Sequence, residues 1–179
     1  MALIPYKELQ KSEFFGFFNI HETERQASGQ GLVVLHFKPG GSQEFIDIEM
    51  HMDENDGIVE AIVLLDRAWI GGTGHVNVFA NDIAKSFIDA LVPADDHGAI
   101  EPLVAAIMDT RGSGDRVIAL QPQRQQRPAL DGAGAKALAV YTGTVRGQSL
   151  ILSRCEITLE NVTLEGKDRL RVRVQAKHD

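Results

Sequence analysis

The sequence predicts an α+β domain with a predominantly antiparallel sheet and two central helices packed on one face. Residues 32–70 form three consecutive strand-like runs, which are typical of a meander. Two segments with helical spacing follow, and the chain ends in further strand-like runs closed by a hairpin. This order of strands, helices and strands distinguishes the chain from folds in which the two element types alternate.

The meander comprises the runs Leu32 to Lys38, Ser42 to Met52 and Ile58 to Ile70. Lys38-Pro39-Gly40-Gly41 favours a type II turn between the first two runs, because Pro and Gly take its central positions. Asp53 to Gly57 is a short polar segment ending in Gly, as hairpin loops often are.

Because strand side chains alternate between two faces, the register assigns each residue of the meander to a face. The predicted apolar face holds Ile46 opposite Leu64, Ile48 opposite Ile62, Met52 opposite Ile58, and also Val33 and Leu35. The predicted second face is mixed and holds Asp47, Glu49 and His51 beside Val59, Ala61, Val63 and Leu65. The helices are expected to cover the apolar part of this second face. A helix over Ile58 to Ile70 remains an alternative, because Ile58, Ile62, Leu65 and Trp69 also fit helical spacing.

Two helices are predicted after the meander, over Ala80 to Val92 and Glu101 to Asp109. Asn77 or Asn81 can cap the first helix, and Pro93 ends it. The second helix contains Pro102, which is tolerated only in a first turn.

The chain returns to strand patterning over Ala137 to Thr144, Ser149 to Ser153, Cys155 to Leu164, and Leu170 to Ala176. Glu165-Gly166-Lys167-Asp168 closes a hairpin of predicted type II′. One face of this hairpin is apolar and comprises Cys155, Ile157, Leu159, Leu170, Val172 and Val174. The other face carries the row Arg169, Arg171 and Arg173, with Glu160 opposite Arg173.

The segment Phe14 to Phe18 holds half of the eight phenylalanines. A strand or tight bend that places the rings in the core is the favoured interpretation. An exposed aromatic patch that docks a partner is the alternative.

Length and composition indicate one soluble domain over residues 1–179, with a flexible loop at 121–134 that is rich in Gln, Arg, Pro and Gly. The single cysteine, Cys155, excludes an internal disulfide and suits a reducing compartment, so a cytoplasmic location is expected. No membrane-spanning segment is expected, because no apolar run is long enough, and no secretory signal is expected, because Tyr6, Lys7 and Glu8 interrupt the first residues. A net charge of −7 argues against nucleic acid as a partner.

Two short motifs invite a catalytic interpretation, and both fail. Gly71-Gly72-Thr73-Gly74 lacks the Lys and Ser or Thr of a phosphate-binding loop, so a turn is expected there. Ser113 lacks the flanking glycines of a hydrolase nucleophile elbow.

The candidate binding residues form two groups. The first is Asp47, Glu49 and His51 on one strand face, with His36 and Asp66 on adjoining strands, since carboxylates and imidazole can bind a metal or exchange protons. The second is the row Arg169, Arg171 and Arg173, which could bind an acidic ligand. The ordinary interpretation of each group is a solvated strand face, with cross-strand ion pairs along the arginine row.

These observations predict a non-catalytic binding or assembly module whose partner is another protein, a second copy or a small apolar ligand. No catalytic residue set, metal or cofactor is expected. A homodimer is expected to pair through Leu170 to Ala176 at a sheet edge. The alternative function is a metal-assisted hydrolase that uses the acidic and histidine face of the central hairpin.

Overall fold

The protein is described from a computed structural model that covers residues 1–29, 31–72, 75–100, 103–104 and 132–177. The strands are β1 Ile4–Pro5, β2 His21–Ala27, β3 Val33–Lys38, β4 Ile46–Met52, β5 Gly57–Asp66, β6 Gly71–Gly72, β7 His75–Val76, β8 Gly147–Ile151, β9 Cys155–Leu164 and β10 Lys167–Ala176. The α-helices are α1 Tyr6–Leu9, α2 Glu13–Phe17, α3 Arg67–Ile70, α4 Val78–Leu91 and α5 Gly132–Tyr141. Short 3-10 helices span Gln43–Phe45 and Ala94–Asp96, and residues 97–100 and 103–104 are helical.

Eight of the strands in the described ranges form one antiparallel sheet. Seven lie side by side in the order β2-β3-β4-β5-β10-β9-β8, and β1 pairs with the start of β5. The predicted α+β class and antiparallel sheet are therefore confirmed. The prediction that Leu170 to Ala176 lies at an edge is wrong, because β10 is paired on both sides, with β5 and β9.

One face of this sheet forms the core together with the helices. Its fully or almost fully buried side chains include Leu35, Phe37, Ile46, Ile48, Met50, Met52, Ala61, Val63, Leu65, Ile157, Leu159, Leu170, Val172 and Val174. The buried apolar residues of α1 to α5 belong to the same cluster. The helices thus pack on the face of Ile46 and Ile48, and the prediction that they cover the face of Asp47 is wrong.

A β-bulge explains why the predicted register of β5 is wrong. His51 pairs with Glu60 but Met52 pairs with Ile58, so Val59 is an extra residue on β5. Beyond a bulge, the alternation of faces is shifted by one residue. Ile46 and Ile48 consequently lie opposite Leu65 and Val63 rather than opposite Leu64 and Ile62.

Two of the three predicted turns differ in detail from the structure. The connection from β3 to β4 is not a tight turn, because Ser42 takes a positive φ of 56° and a 3-10 helix precedes Ile46. The C-terminal loop is Glu165-Gly166, with φ of 51° and 76°, which are the values of a type I′ turn rather than type II′. Glu160 accordingly pairs with Arg171, not with Arg173.

The run from Ile58 to Ile70 is a strand only as far as Asp66. The Asp66 carboxylate accepts a hydrogen bond from the backbone N of Trp69 at 3.2 Å and caps α3. The Trp69 ring stacks on Phe45 with a centroid distance of 5.5 Å. Both interpretations of this run were therefore partly right.

Helix α4 matches its prediction closely. The Asn77 side chain caps it by accepting from the backbone N of Phe79 at 2.9 Å. Its apolar stripe, including Ile83, Phe87 and Ile88, is buried against β5, β10 and α2.

The phenylalanine segment is a short helix, α2, rather than a strand. Phe14, Phe15 and Phe18 are buried, whereas Phe17 is exposed. The Phe15 ring meets Phe37 of β3 edge to face at 5.5 Å, which joins α2 to the sheet. The core interpretation is confirmed for three of the four rings.

Residues 137–141, predicted as the start of a strand, belong to helix α5. Alanine has the highest intrinsic helix propensity, and α5 contains four alanines. Ala137, Val140 and Tyr141 share one buried side at helical spacing.

Several predictions concern residues outside the described ranges. They are the second helix, apart from 103–104, and the loop at 121–134, apart from its last residues at the start of α5. That residues 1–179 form a single domain stays a prediction.

Candidate functional site

The sheet face that points away from the helices is the candidate site, and we call it the open face. Its residues come from β3, β4, β5, β10 and β9. They include Val34, His36, Lys38, Asp47, Glu49, His51, Glu60, Ile62, Leu64, Arg169, Arg171, Arg173 and Glu160. The described helices contribute their buried residues to the opposite side. Among the charged side chains of the open face, exposure reaches 44% at Asp47.

The seven predicted binding residues other than Asp66, which caps α3, lie on the open face. The acidic hairpin and the arginine row were predicted as separate groups, but β10 lies directly beside β5 and brings them together. In one row across the sheet, Asp47 lies opposite Leu64, and Leu64 lies opposite Arg171. In the next row, Glu49, Ile62 and Arg173 are aligned in the same way.

Sequence reasoning missed several members of this face. Glu60, Ile62 and Leu64 were assigned to the wrong side or not singled out, because nothing in the local pattern marks the bulge at Val59. Lys38 is predicted at the end of the first strand and the start of the turn, without a role at the site. Its position one strand from Asp47, with opposite charge, was a signal that could have found it.

Asp47 is held by two cations from different strands. Lys38 Nζ lies 2.5 Å from Asp47 Oδ1, and Arg169 Nη1 lies 3.3 Å from Asp47 Oδ2. Lys38 also donates to the backbone carbonyl of Ile46 at 2.9 Å. This arrangement neutralises the carboxylate within the chain.

His51 lies between two carboxylates, and this geometry determines its protonation. Its Nε2 donates to Glu49 Oε1 at 2.7 Å, and its Nδ1 lies 3.1 Å from Glu60 Oε2. An imidazole can donate from both nitrogens only when it is protonated. The hydrogen bonds to Glu49 and Glu60 raise the pKa of His51 from 6.5 to about 9, although partial burial opposes them. The same hydrogen bonds lower the pKa of each glutamate.

We expect His51 to titrate near pH 9 in the folded protein and to add a pH-dependent part to stability. Between about 6.5 and 9 the folded state binds more protons than the unfolded state, so this stability is complete below 6.5 and is lost as the pH rises to 9. His51→Gln should be roughly 2 kcal/mol less stable at pH 6.5, because hydrogen bonds between charged groups are lost, and the difference should shrink towards pH 9. Imidazole NMR titration and urea unfolding at several pH values measure both quantities.

His36→Gln is the matched control, since His36 Nδ1 is 3.9 Å from Glu49 and the side chain is more exposed. It should change stability by less than about 0.5 kcal/mol at either pH. A His51 titration near pH 6.5 would contradict the contacts of its two ring nitrogens with Glu49 and Glu60.

The arginine row is also paired within the chain. Arg171 Nη2 lies 2.8 Å from Glu160 Oε2, and Arg173 Nη1 lies 3.6 Å from Glu60 Oε1. The Arg171 Nε is buried and has no hydrogen-bond partner among the described residues. Exposed ion pairs of this kind contribute about 0–1 kcal/mol each, so their main effect is to balance charge across the open face.

The apolar side chains at the centre of the open face border a small depression. A depression of about 230 Å³ is lined by Ile62, Leu64 and Leu164 together with His36, Asp47 and Arg171. This volume is below the range of about 300–1,000 Å³ that is typical of small-molecule sites. The shape favours contact with a surface over enclosure of a ligand.

Comparisons with known protein families, curated proteins and solved structures find no match.

The arrangement of the open face does not provide a ready metal site. Within the described ranges, no three His, Cys, Asp or Glu side chains are grouped so that they could hold a metal ion. A histidine binds a metal through a neutral imidazole, whereas His51 is protonated and contacts a carboxylate at each ring nitrogen. Metal binding through either ring nitrogen would have to remove a proton from His51 and displace the glutamate at that nitrogen.

Two further features lie elsewhere in the fold. A groove of about 740 Å³ runs between α2 and α4 and is lined mainly by polar and charged residues, with the exposed Phe17 ring among them. Cys155 is buried in the core, and burial raises the pKa of its thiol to about 11, so it is not a nucleophile at neutral pH.

Among the residues that the structure describes, no helix combines the length and apolar character needed to cross a bilayer.

Proposed function

We propose that the protein is a non-catalytic binding module that contacts another protein surface through its open face. The observation that carries this proposal is the pairing of the charges that surround the apolar centre of that face. Asp47, Glu49 and Glu60 each contact a cation of the same chain. Paired charges surround the apolar residues Ile62 and Leu64, a pattern common to protein interfaces with an apolar centre and a polar rim.

Catalysis requires groups that are free to react. A general base near neutral pH needs a pKa close to the working pH and an open position for the proton. His51 has a pKa of about 9 and lies against carboxylates at both nitrogens. The lowered pKa values of Glu49 and Glu60 make them weak bases. The hydrogen-bonded set of Glu49, His51 and Glu60 therefore favours a structural role over a catalytic one.

The other predicted ligand classes have less support. A small apolar ligand would need an enclosed apolar cavity, and the depression on the open face is small and bordered by charges. Nucleic acid is disfavoured by the net charge of −7 and by the pairing of each central arginine with a glutamate. The cytoplasmic location expected from the single cysteine is retained in this proposal.

The rival function, a metal-assisted hydrolase, is tested by metal content. The purified protein and the variant Asp47→Asn/Glu49→Gln/His51→Asn are incubated with zinc and manganese, desalted, and measured by elemental analysis. We expect well under one metal per chain in both proteins. The triple variant should remain folded but less stable, because it loses the His51 contacts.

The control variant is His21→Asn/Glu22→Gln/Glu24→Gln, which removes the same types of side chain from β2. Stoichiometric zinc or manganese that is lost in the open-face variant and kept in the β2 variant would overturn the proposed function. That result would make the central hairpin a metal-dependent active site.

A further inference from the structure

The charges of the open face are distributed unequally about its central strand. In the seven-strand order β2-β3-β4-β5-β10-β9-β8, β5 is the middle strand. On one side of it β4 carries Asp47 and Glu49, and on the other side β10 carries Arg171 and Arg173 at the same levels. The acids and the arginines are thus separated by one apolar column, Leu64 and Ile62.

This distribution is complementary to itself under one symmetry operation. Consider a two-fold axis that runs parallel to β5 in front of the open face. Rotation about it places a second open face against the first, with the order of the strands reversed from left to right. The position of each residue along the strand direction is unchanged. β4 of one copy then lies over β10 of the other, β3 lies over β9, and β5 lies over β5. Two sheets packed face to face prefer nearly aligned strands, within about 30°, as this operation requires.

We propose that the open face binds a second copy of this chain across such an axis. This inference rests on the proposed function and names its partner. Asp47 lies against the partner subunit's Arg171, and Glu49 lies against the partner subunit's Arg173. Lys38, next to Asp47, lies against the partner subunit's Glu160, which neighbours Arg171. Each contact occurs twice, as an isologous interface demands.

The central residues support the same arrangement. Ile62 and Leu64 lie on β5, the strand nearest the axis, so each meets the same residue of the partner subunit. Their contact removes apolar surface from water. The depression beside them gives room for Leu64 of the partner subunit. Apolar residues at the centre with ion pairs outside follow the usual anatomy of an interface.

The available area is sufficient for a modest dimer. Strands about 4.8 Å apart that rise about 3.3 Å per residue give roughly 550 Å² for five strands of seven residues. Two copies therefore bury about 1,100 Å², which is just above the value of about 1,000 Å² for a specific interface. We expect a dissociation constant in the micromolar range rather than an obligate dimer.

Glu60 opposes this packing, because it lies on β5 and meets its own counterpart near the axis. Its charge is offset within each chain by His51 at 3.1 Å and Arg173 at 3.6 Å. Deprotonation of His51 removes one of these cations, so dimerisation should weaken as the pH rises past 9.

Charge reversal provides a sharp test, because each contact joins two different residues. Asp47→Lys alone places Lys against Arg171 of the partner subunit, and Arg171→Glu alone places Glu against Asp47 of the partner subunit. An equimolar mixture of the two variants restores an opposite-charge pair at both contacts. Sedimentation equilibrium from 1 to 500 µM would measure the mass of each sample and of the parent, with concentrations chosen around the expected dissociation constant.

We expect the parent to approach twice the chain mass, each single variant to dimerise at least about tenfold more weakly, and the mixture to recover dimerisation. Lys85→Glu makes the same change of charge as Arg171→Glu, but on α4 and away from the open face. It should leave the dissociation constant of the dimer unchanged. Circular dichroism checks that every variant is folded. If one is not, Lys38→Glu and Glu160→Lys repeat the design with the adjacent pair.

Three results would overturn the inference. They are a parent that stays monomeric at 500 µM, single variants that dimerise as the parent does, or a mixture that fails to recover. None of them bears on metal content, so the proposed function would survive with a different protein partner. Stoichiometric metal bound at the open face would instead overturn the proposed function.

Discussion

Ile88→Asp is expected to destabilise the fold by roughly 4 kcal/mol, because it buries a carboxylate without a partner. Ile88 is completely buried on α4, within the cluster that joins the helices to the sheet. The substitution also removes the apolar contacts of the isoleucine side chain. Urea unfolding followed by circular dichroism measures the difference in the free energy of unfolding.

Val78→Asp is the control on the same helix. Val78 is the first residue of α4 and is 48% exposed. An acidic side chain at a helix N-terminus is neutral or favourable, so we expect a change within about 0.5 kcal/mol. Equal unfolding free energies for Ile88→Asp and the parent would show that α4 does not belong to the core.

Phe14→Ala is expected to cost about 3–5 kcal/mol, the usual range for loss of a large aromatic side chain from a core. Phe14 is almost fully buried, and its ring meets Phe15 at 5.8 Å, Phe18 at 6.0 Å and Phe87 at 5.6 Å. The contact with Phe87 connects α2 to α4, so the cavity would lie between two helices. Thermal and urea unfolding both report the loss.

Phe17→Ala makes the same substitution three residues away on the same helix. Phe17 is 78% exposed, and we expect a change of less than about 1 kcal/mol. A larger loss for Phe17→Ala than for Phe14→Ala would show that the exposed ring, not the buried one, holds the N-terminal segment.

The strands of the meander and the C-terminal hairpins were predictable because their signals are local. Alternation of apolar and polar residues over five or more positions identifies a strand, and Gly with polar neighbours identifies a turn. The same reasoning found α4, where Asn77 and the spacing of Ile83, Phe87 and Ile88 agree. It failed for α5, because alternating alanines satisfy a strand pattern and a helix propensity equally.

The faces of β5 could not be predicted, since one extra residue reverses them. Val59 forms the bulge, and the chain shows no Gly or other signature at that point. The result was a wrong assignment for Ile62 and Leu64. Strand β2 was missed for a related reason, because all its side chains are exposed and it has no apolar alternation.

The chemistry of the candidate site follows from the sequence, whereas its assembly does not. His36, Asp47, Glu49 and His51 belong to neighbouring strands, so local pairing was enough to bring them together. The arginine row reaches the same surface only because β10 inserts beside β5, about a hundred residues away along the chain. Long-range strand order depends on which edges remain unpaired once the local hairpins have formed, and no residue pattern records that choice. The tertiary pairing of β5 with β10 therefore determines that His51 shares a face with the arginines, and that acids and arginines flank the apolar pair Ile62 and Leu64 of β5.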